Sequence, residues 1–131
     1  IVNRSAGRGE ELTSLLDDKL PVEASFTPWD KTFVIPDGTD VLINATSIGL
    51  FPDIDARLDF DLESLTAETV VADVIPNPPS TSLVRDARAK GCKVIDGLGM
   101  LVNQGVIGIR HWTGVDPDPK VMRAALEEVF G

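Results

Sequence analysis

Three short apolar segments constrain the fold of this chain most strongly. They are Val41–Asn44, Val70–Val74 and Lys93–Ile95, and helix-like segments alternate with them along the sequence. Short, continuous apolar strands are typical of parallel sheets that are covered on both faces. Alternation of such strands with helices implies right-handed crossovers. The sequence therefore predicts an α/β fold with a doubly wound, mostly parallel, Rossmann-like sheet.

The segments around these strands carry helix signals. Apolar residues recur with helical spacing, and capping residues stand before and after several of the segments. The predicted helices are Glu10–Leu20, a helix after Ser80 that runs to Lys90 with Gly91 at its end, Leu98–Trp112, and a last helix from Pro117 or Pro119 to Phe130. Leu98–Trp112 is apolar nearly all round, which indicates a buried or interface helix. Val22–Phe26 is predicted as a further short strand.

Composition limits the class of partner. The chain of 131 residues has the size of one domain, and its net charge of -9 disfavours nucleic-acid binding. No apolar run has the length of a membrane span and no signal peptide is visible, so we expect no membrane partner. The single Cys92 fits a reducing compartment, and we expect a cytoplasmic protein. One His and one Cys argue against a zinc site, so no metal is expected.

The first residues read as a strand end that turns directly into a helix, with two arginines and no acid at the turn. In dinucleotide-binding sheets, arginine at the tip of the second strand selects NADP, whereas a carboxylate selects NAD. Arg4 and Arg8 flank a helix start, where the helix dipole disfavours cations. A bound anion would offset this unfavourable interaction. The alternative is that both are solvated surface arginines, partly offset by Glu10 and Glu11. The Gly-rich turn that should precede this strand is missing, which predicts a fragment of a larger protein that lacks the first strand of the sheet.

Polar and small residues follow the other strands. Ligands of parallel sheets bind outside the carboxyl ends of the strands. We therefore expect four strand ends to share one edge: Asn3–Ser5, Asn44–Ser47, Asp73–Pro76 and Asp96–Gly99. A capped turn and structural hydrogen bonds explain the same residues without a ligand. Gly97 could let a cofactor approach the main chain. Gln104 lies in an apolar helix and reads as a buried amide whose partner is a ligand or a neighbouring backbone.

Five motifs occur in order along nearly the whole chain. They are Asn3-Arg4-Ser5-x-x-Arg8, Ile43-Asn44-Ala45-Thr46-Ser47-x-Gly49, Asp73-Val74 with Asn77-Pro78 and Thr81, Asp96-Gly97-x-Gly99-Met100-Leu101-x-x-Gln104, and Trp112-Thr113-Gly114. Each motif alone is weak, but the ordered set is highly specific. It resembles the C-terminal half of the shikimate/quinate dehydrogenase family. The resemblance implies an NADP-dependent oxidoreductase that reversibly reduces 3-dehydroshikimate to shikimate, a step of chorismate and aromatic amino-acid biosynthesis.

The resemblance also implies roles for individual residues. In that family the first motif binds the adenosine 2′-phosphate of NADP, here through Asn3, Arg4, Ser5 and Arg8. The adenosine side is approached by Thr46 and Ser47. The nicotinamide end lies near Val74, Gly97 and Met100. The substrate is hydrogen-bonded by Gln104.

The chain departs from the family pattern in two ways. Family members commonly carry a substrate-contacting Tyr where this chain has Pro76, and the chain has no Tyr, which suggests a branch with altered substrate preference. The catalytic Lys–Asp pair of the family comes from an N-terminal domain that does not precede Ile1. We therefore expect residues 1–131 to form a partial NADP-binding domain that is inactive alone, and we assign no catalytic residue.

The sequence leaves two alternatives to an NADP-dependent reduction of 3-dehydroshikimate. The first is a related quinate/shikimate dehydrogenase-like enzyme that uses NAD or acts on another cyclitol. The absence of an acid beside Arg4 and Arg8 argues against NAD. The second is a non-catalytic α/β nucleotide-binding module, which would show the same alternation of strands and helices.

Overall fold

A computed structural model describes residues 1–130 of the chain. Strands and helices alternate through most of it, as the apolar segments predict. In chain order the elements are β1 (Val2–Asn3), α1 (Ala6–Lys19), β2 (Thr27–Pro28), β3 (Val41–Asn44), β4 (Val70–Asp73), α2 (Ser82–Ala89), β5 (Lys93–Ile95), α3 (Gly97–Thr113) and α4 (Pro119–Phe130), with a short 3₁₀ turn at Leu62–Ser64. They fall into two compact units.

The first unit contains β1, α1 and β2 and comprises Ile1–Val34 and Asp59–Asp61. Strands β1 and β2 are parallel, with Val2 opposite Thr27. Helix α1 follows β1 after two residues, and a Cβ at Gly9 would lie 2.2 Å from the ring of Phe26. The backbone of the helix therefore lies so close to this ring that only glycine fits at position 9 without a shift of the ring.

The predicted strand Val22–Phe26 is wrong, because the strand begins later, at Thr27. The N–H of Ala24 donates to Asp17 Oδ1 of α1 at 2.7 Å. This backbone group is therefore bound to a helix side chain instead of a neighbouring strand. Strand β2 begins at Thr27, whose N–H donates to the carbonyl of Ile1 at 2.8 Å.

The second unit begins at Ile35 and contains a parallel sheet in the order β3-β4-β5. Leu42 pairs with Val71, and Val71 pairs with Val94. Helix α2 connects β4 to β5 and packs against both. The core lies between this helix and the sheet and includes the start of α3, and its most buried residues are Val71, Leu83, Val84, Ala87 and Leu98. The predicted α/β class with parallel strands is thus confirmed.

The two faces of this sheet differ. Helix α2 covers the face of Leu42 and Val71, whereas Val41, Ile43 and Ile95 on the opposite face are between 52% and 61% exposed. The prediction of two covered faces therefore holds on one face within residues 1–130. The physical reason is that α3, which follows β5, contributes Leu98 to the core and otherwise packs mainly against α4, so it leaves this face of the sheet uncovered.

The helix boundaries follow the capping residues. Thr81 Oγ1 accepts a hydrogen bond from the Val84 N–H at 3.2 Å and so caps α2, and Gly91 takes a φ of 84° just after the helix. Helix α3 is buried at Leu98 and Val102, but Trp112 is 80% exposed. Its apolar character therefore does not make it a buried helix. No helix among residues 1–130 is both long enough and apolar enough to span a membrane.

Candidate functional site

The carboxyl ends of β3, β4 and β5 meet at one edge of the second unit. Asn44 and Asp73, the last residues of β3 and β4, are paired in register, and Ala72 pairs with Ile95 at the end of β5. Asp96 follows Ile95 directly. The edge expected from the sequence therefore exists for these three strands, and it brings Asn44–Ser47, Asp73 and Asp96 to the same side of the sheet. The fourth expected strand end, Asn3–Ser5, follows β1, which pairs with β2 in a separate two-stranded sheet.

The carboxylate of Asp73 joins three segments at this edge. It is 3% exposed. Its Oδ1 accepts from Asn44 Nδ2 at 3.1 Å and from the Ile75 N–H at 3.0 Å, and its Oδ2 accepts from Thr81 Oγ1 at 2.6 Å. A buried carboxylate requires donors of this kind. The simpler explanation of Asp73, a structural hydrogen-bonding role, is what the geometry shows.

The loop after β3 is organised by its own side chains. Asn44 Oδ1 accepts from the Thr46 N–H at 3.0 Å and from Thr46 Oγ1 at 2.8 Å. Thr46 Oγ1 in turn accepts from the Ile48 N–H at 3.1 Å. The hydroxyl of Thr46 therefore stabilises the turn, and the exposed Ser47 is the residue that presents its side chain to the outside.

The start of α3 contacts the end of β4 through glycine. A Cβ at Gly97 would lie 2.3 Å from the carbonyl oxygen of Ile75 and 2.7 Å from its nitrogen. Both atoms belong to the backbone and cannot move as a side chain can. Only glycine therefore allows the first turn of α3 to pack against the loop that carries Val74 and Pro76.

Asp96 caps α3 and forms an ion pair with α4. Its Oδ1 accepts from the Gly99 N–H at 3.0 Å, and both of its oxygens accept from the guanidinium of Arg123, at 3.1 Å and 2.8 Å. The hydrogen bond from Arg123 is the main cause that lowers the pKa of Asp96, against an opposing effect of burial. The same contact raises the pKa of Arg123.

The remaining candidates on α3 are more accessible than the sequence suggests. Met100 is 40% exposed. Gln104 is also exposed, so its prediction as a buried amide is wrong. Helix α3 is buried through Leu98 and Val102, and residue 104 lies about 200° around the helix from Val102. The amide is therefore free to meet a molecule outside the described chain.

The first unit holds the two arginines. Ser5 is the N-cap of α1 but its side chain forms no capping hydrogen bond, and the first turn contains no acidic residue. Asn3 Oδ1 accepts from the Ser5 N–H at 3.2 Å and shapes the turn. Arg4 and Arg8 are exposed, and neither forms an ion pair with Glu10 or Glu11. Among residues 1–130 neither arginine forms an ion pair, and two exposed cations at a helix start without a side-chain cap are a donor set suited to a phosphate.

Arg123, which pairs with Asp96 at the start of α3, was not among the site residues predicted from the sequence. It lies 27 positions after Asp96 and within an amphipathic helix, where a charged residue is ordinarily read as part of the solvated face. No local motif marks the contact. Only the packing of α4 beside α3 brings the two side chains together.

Parallel strands, helices between them, and polar groups at the strand ends define a Rossmann-like domain of the nucleotide-binding class. Residues 97–127 match the family profile "Shikimate 5'-dehydrogenase C-terminal domain". The NADP(+) shikimate dehydrogenase of Methanothrix thermoacetophila is 43% identical over 131 residues, which are 100% of this chain and 45% of that protein. The chain thus spans about half the length of the curated relatives it matches.

Two solved structures extend this similarity to three dimensions. A ligand-free 5-ketofructose reductase of Gluconobacter sp. is 52% identical, with a TM-score of 0.91, over 99% of this chain and 47% of that one. A shikimate dehydrogenase in complex with NADP+ is 36% identical, with a TM-score of 0.87, over 100% of this chain and 46% of that one. The resemblance seen in the sequence is confirmed, and the chain is similar to the C-terminal part of shikimate dehydrogenases.

Removal of the Asp73 carboxylate should destabilise the fold. In Asp73→Ala the side chains of Asn44 and Thr81 and the N–H of Ile75 lose their acceptor while buried, so we expect a loss of about 3 kcal/mol or more in the free energy of unfolding. Urea unfolding monitored by circular dichroism measures it. The exposed Asp55→Ala is the matched control and should change stability by less than about 0.5 kcal/mol. Equal effects of the two variants would contradict a structural role for Asp73.

Proposed function

We propose that this chain is the NADP-binding domain of an NADP-dependent oxidoreductase that reversibly reduces 3-dehydroshikimate to shikimate. The observation that carries the proposal is a pair of exposed arginines, Arg4 and Arg8, which form no ion pair within residues 1–130 and lie at a start of α1 that has no side-chain cap. An exposed helix start with two cations is unfavourable by itself and becomes favourable when a phosphate binds there. The relatives that are named NADP(+) shikimate dehydrogenases supply the identity of the phosphate and of the reaction.

We assign the cofactor contacts to the residues that the family resemblance indicates. The 2′-phosphate would be bound by the guanidinium groups of Arg4 and Arg8, with Ser5 and the turn shaped by Asn3 beside them. The adenosine side would meet the loop of Thr46 and Ser47, in which Thr46 holds the turn. The nicotinamide end would lie near Val74, Gly97 and Met100, where glycine at position 97 keeps the start of α3 close to the end of β4.

The residues of this chain would bind and orient NADPH and the substrate, and the bound cofactor would be the source of the hydride for the carbonyl carbon. Gln104, exposed on α3, would form a hydrogen bond to the substrate. We assign proton transfer to a residue outside this chain, in a substrate-binding domain that would account for the other half of the relatives' length. The proposal places the protein in the cytoplasm, since a single cysteine, Cys92, fits a reducing compartment.

Arg4→Ala and Arg8→Ala should weaken NADPH selectively in the intact protein. Each change removes charge-assisted hydrogen bonds of about 1.5–3 kcal/mol, so the KM for NADPH should rise roughly 10- to 100-fold. The KM for NADH, which has no 2′-phosphate, should change less than about twofold. Steady-state kinetics with the two cofactors measures both values.

Arg110→Ala is the control for these substitutions, because Arg110 is also exposed and forms an ion pair with Asp116 at the far end of α3. It should leave both KM values unchanged. An equal rise for NADPH and NADH in the Arg4 and Arg8 variants would show that the arginines do not bind the 2′-phosphate. NADH used as well as NADPH by the unaltered protein would favour an NAD enzyme instead.

Gln104→Ala should weaken the substrate and spare the cofactor. One neutral hydrogen bond contributes about 1 kcal/mol, so the KM for the carbonyl substrate should rise about fivefold while the KM for NADPH stays unchanged. The neighbouring Asn103, also exposed on α3, provides the matched control Asn103→Ala. A raised KM for NADPH with an unchanged substrate KM would place Gln104 on the cofactor instead.

A keto-sugar is the second candidate substrate, and two observations favour it. The solved 5-ketofructose reductase is 52% identical to this chain, against 36% for the shikimate dehydrogenase with NADP+. Pro76 directly follows Ile75, whose backbone contacts Gly97, so the position lies beside the proposed nicotinamide end. A proline there cannot supply the hydroxyl that a tyrosine would offer to shikimate.

The substrate is decided by a comparison of kcat/KM for 3-dehydroshikimate and 5-ketofructose with NADPH. If Pro76 marks an altered branch, the keto-sugar should be preferred, and Pro76→Tyr should raise kcat/KM for 3-dehydroshikimate relative to the keto-sugar by roughly fivefold, the worth of one hydrogen bond. Preference for 3-dehydroshikimate without the Tyr would retain the first candidate. NADPH binding without turnover of either ketone would favour a non-catalytic module.

A further inference from the structure

One polar contact connects the last helix to the proposed nicotinamide end. Arg123, in the first half of α4, has a side chain that is 37% exposed, and Asp96, at the start of α3, has one that is 13% exposed. Two N–H···O bonds of 3.1 Å and 2.8 Å join the guanidinium fork to the two carboxylate oxygens. This is the bidentate arrangement, which fixes the relative orientation of both groups.

The guanidinium of Arg123 is itself held in place. Its Nε donates to Glu127 Oε1 at 2.8 Å, one turn further along α4. The fork is therefore oriented before it meets Asp96, and less side-chain freedom is lost in the contact. Arg88 is the other cation near this carboxylate, at 4.0 Å from Asp96 Oδ2. This is too far for a hydrogen bond, so Arg123 is the residue that orients the carboxylate.

One carboxylate oxygen of Asp96 accepts two hydrogen bonds at the first turn of α3. Asp96 Oδ1 accepts from Arg123 and also from the N–H of Gly99, which caps the first turn of α3. An aspartate N-cap needs no arginine to satisfy the helix, since its own carboxylate does so. The added fork instead connects this turn to α4, a helix that packs along α3.

The opposite side of the turn is fixed by backbone contact. The Cα of Gly97 lies so close to Ile75 that a Cβ would be 2.3 Å from the Ile75 oxygen. The first turn of α3 is thus held between the end of β4 on one side and Arg123 on the other. Gly97, Met100 and Gln104 follow on this one helix, so any shift of the turn moves all three together.

We propose that Arg123 is a positioning residue, which sets the location of the first turn of α3 through Asp96 and thereby the distance and angle of hydride transfer. This inference rests on the proposed function. Arg123 touches Asp96 and not the reacting atoms. Its removal should therefore act on kcat, since a misplacement of about 1 Å can cost up to roughly 100-fold in rate. It should leave the binding of the 2′-phosphate by Arg4 and Arg8 unaffected.

The test compares Arg123→Gln, Arg123→Lys and the control Arg110→Gln in the intact protein. The first readout is hydrogen exchange of the backbone amides in residues 97–104, which requires no turnover. We expect exchange there to rise at least about tenfold in Arg123→Gln, to rise less in Arg123→Lys, which keeps the charge without the fork, and to stay unchanged in Arg110→Gln. Unchanged exchange in Arg123→Gln overturns the inference whatever the activity.

The second readout is kcat per NADPH-binding site, with sites counted by fluorescence titration. In Arg123→Gln we expect kcat to fall roughly tenfold, the Kd for NADPH to change less than about twofold, and the kinetic isotope effect with NADPH deuterated at nicotinamide C4 to increase. A lower unfolding temperature with an unchanged kcat per site would show a merely structural role and overturn the inference.

The two proposals fail in different ways. If the unaltered protein neither binds NADPH nor reduces either ketone, the proposed function is wrong and the effect of Arg123 on hydride transfer is overturned with it. The exchange data still decide whether Arg123 positions the first turn of α3. If the unaltered protein turns over and Arg123→Gln matches it in kcat, the proposed function stands and only the inference about Arg123 is overturned.

Discussion

The buried carboxylate of Asp73 is the interaction on which the candidate site depends. The last residue of a central strand bears a charge that is almost fully removed from water, and such a charge is tolerated only with several donors. Those donors come from the end of β3, the loop after β4 and the N-cap of α2. The hydrogen bonds of one side chain therefore fix the positions of three segments at the ends of the strands. The conformation of the loops that would surround a ligand depends on them.

The sequence predicted the elements whose signals are local. The three apolar strands and the helices ending near Gly91 and beginning at Pro119 were predicted closely, because alternation, caps and breakers act over a few residues. The strand at Val22–Phe26 was wrong, because a side chain from α1 takes one of its backbone donors. Gln104 was misread as buried, since an apolar helix reveals its exposed face only once its packing partner is known.

The pairing of Arg123 with Asp96 shows the same limit for the candidate site. Residues next to a strand end can be proposed from the order of strands alone, because parallel strands end at one edge. A residue that orients such a group from another helix has no fixed spacing from it. Its identity depends on how α4 packs along α3, which is a tertiary property. Residues that would contact a ligand can therefore be predicted from the sequence, whereas the residues that orient them from another helix cannot.

The proposed cofactor contacts are of two kinds: exposed arginines for the 2′-phosphate, and buried contacts at the start of α3. With a net charge of -9, the chain as a whole repels an anionic cofactor, so any attraction must act at short range. Arg4 and Arg8 are exposed and form an ion pair with no acidic residue in the described part of the chain, so they can be exchanged at little cost to the fold. The start of α3 has no such freedom, because Gly97 meets backbone atoms and Asp96 is held by a guanidinium fork. Under the proposed function, the choice of cofactor can therefore change by substitution at the surface of α1. The geometry of hydride transfer cannot change without repacking the junction of β4, α3 and α4.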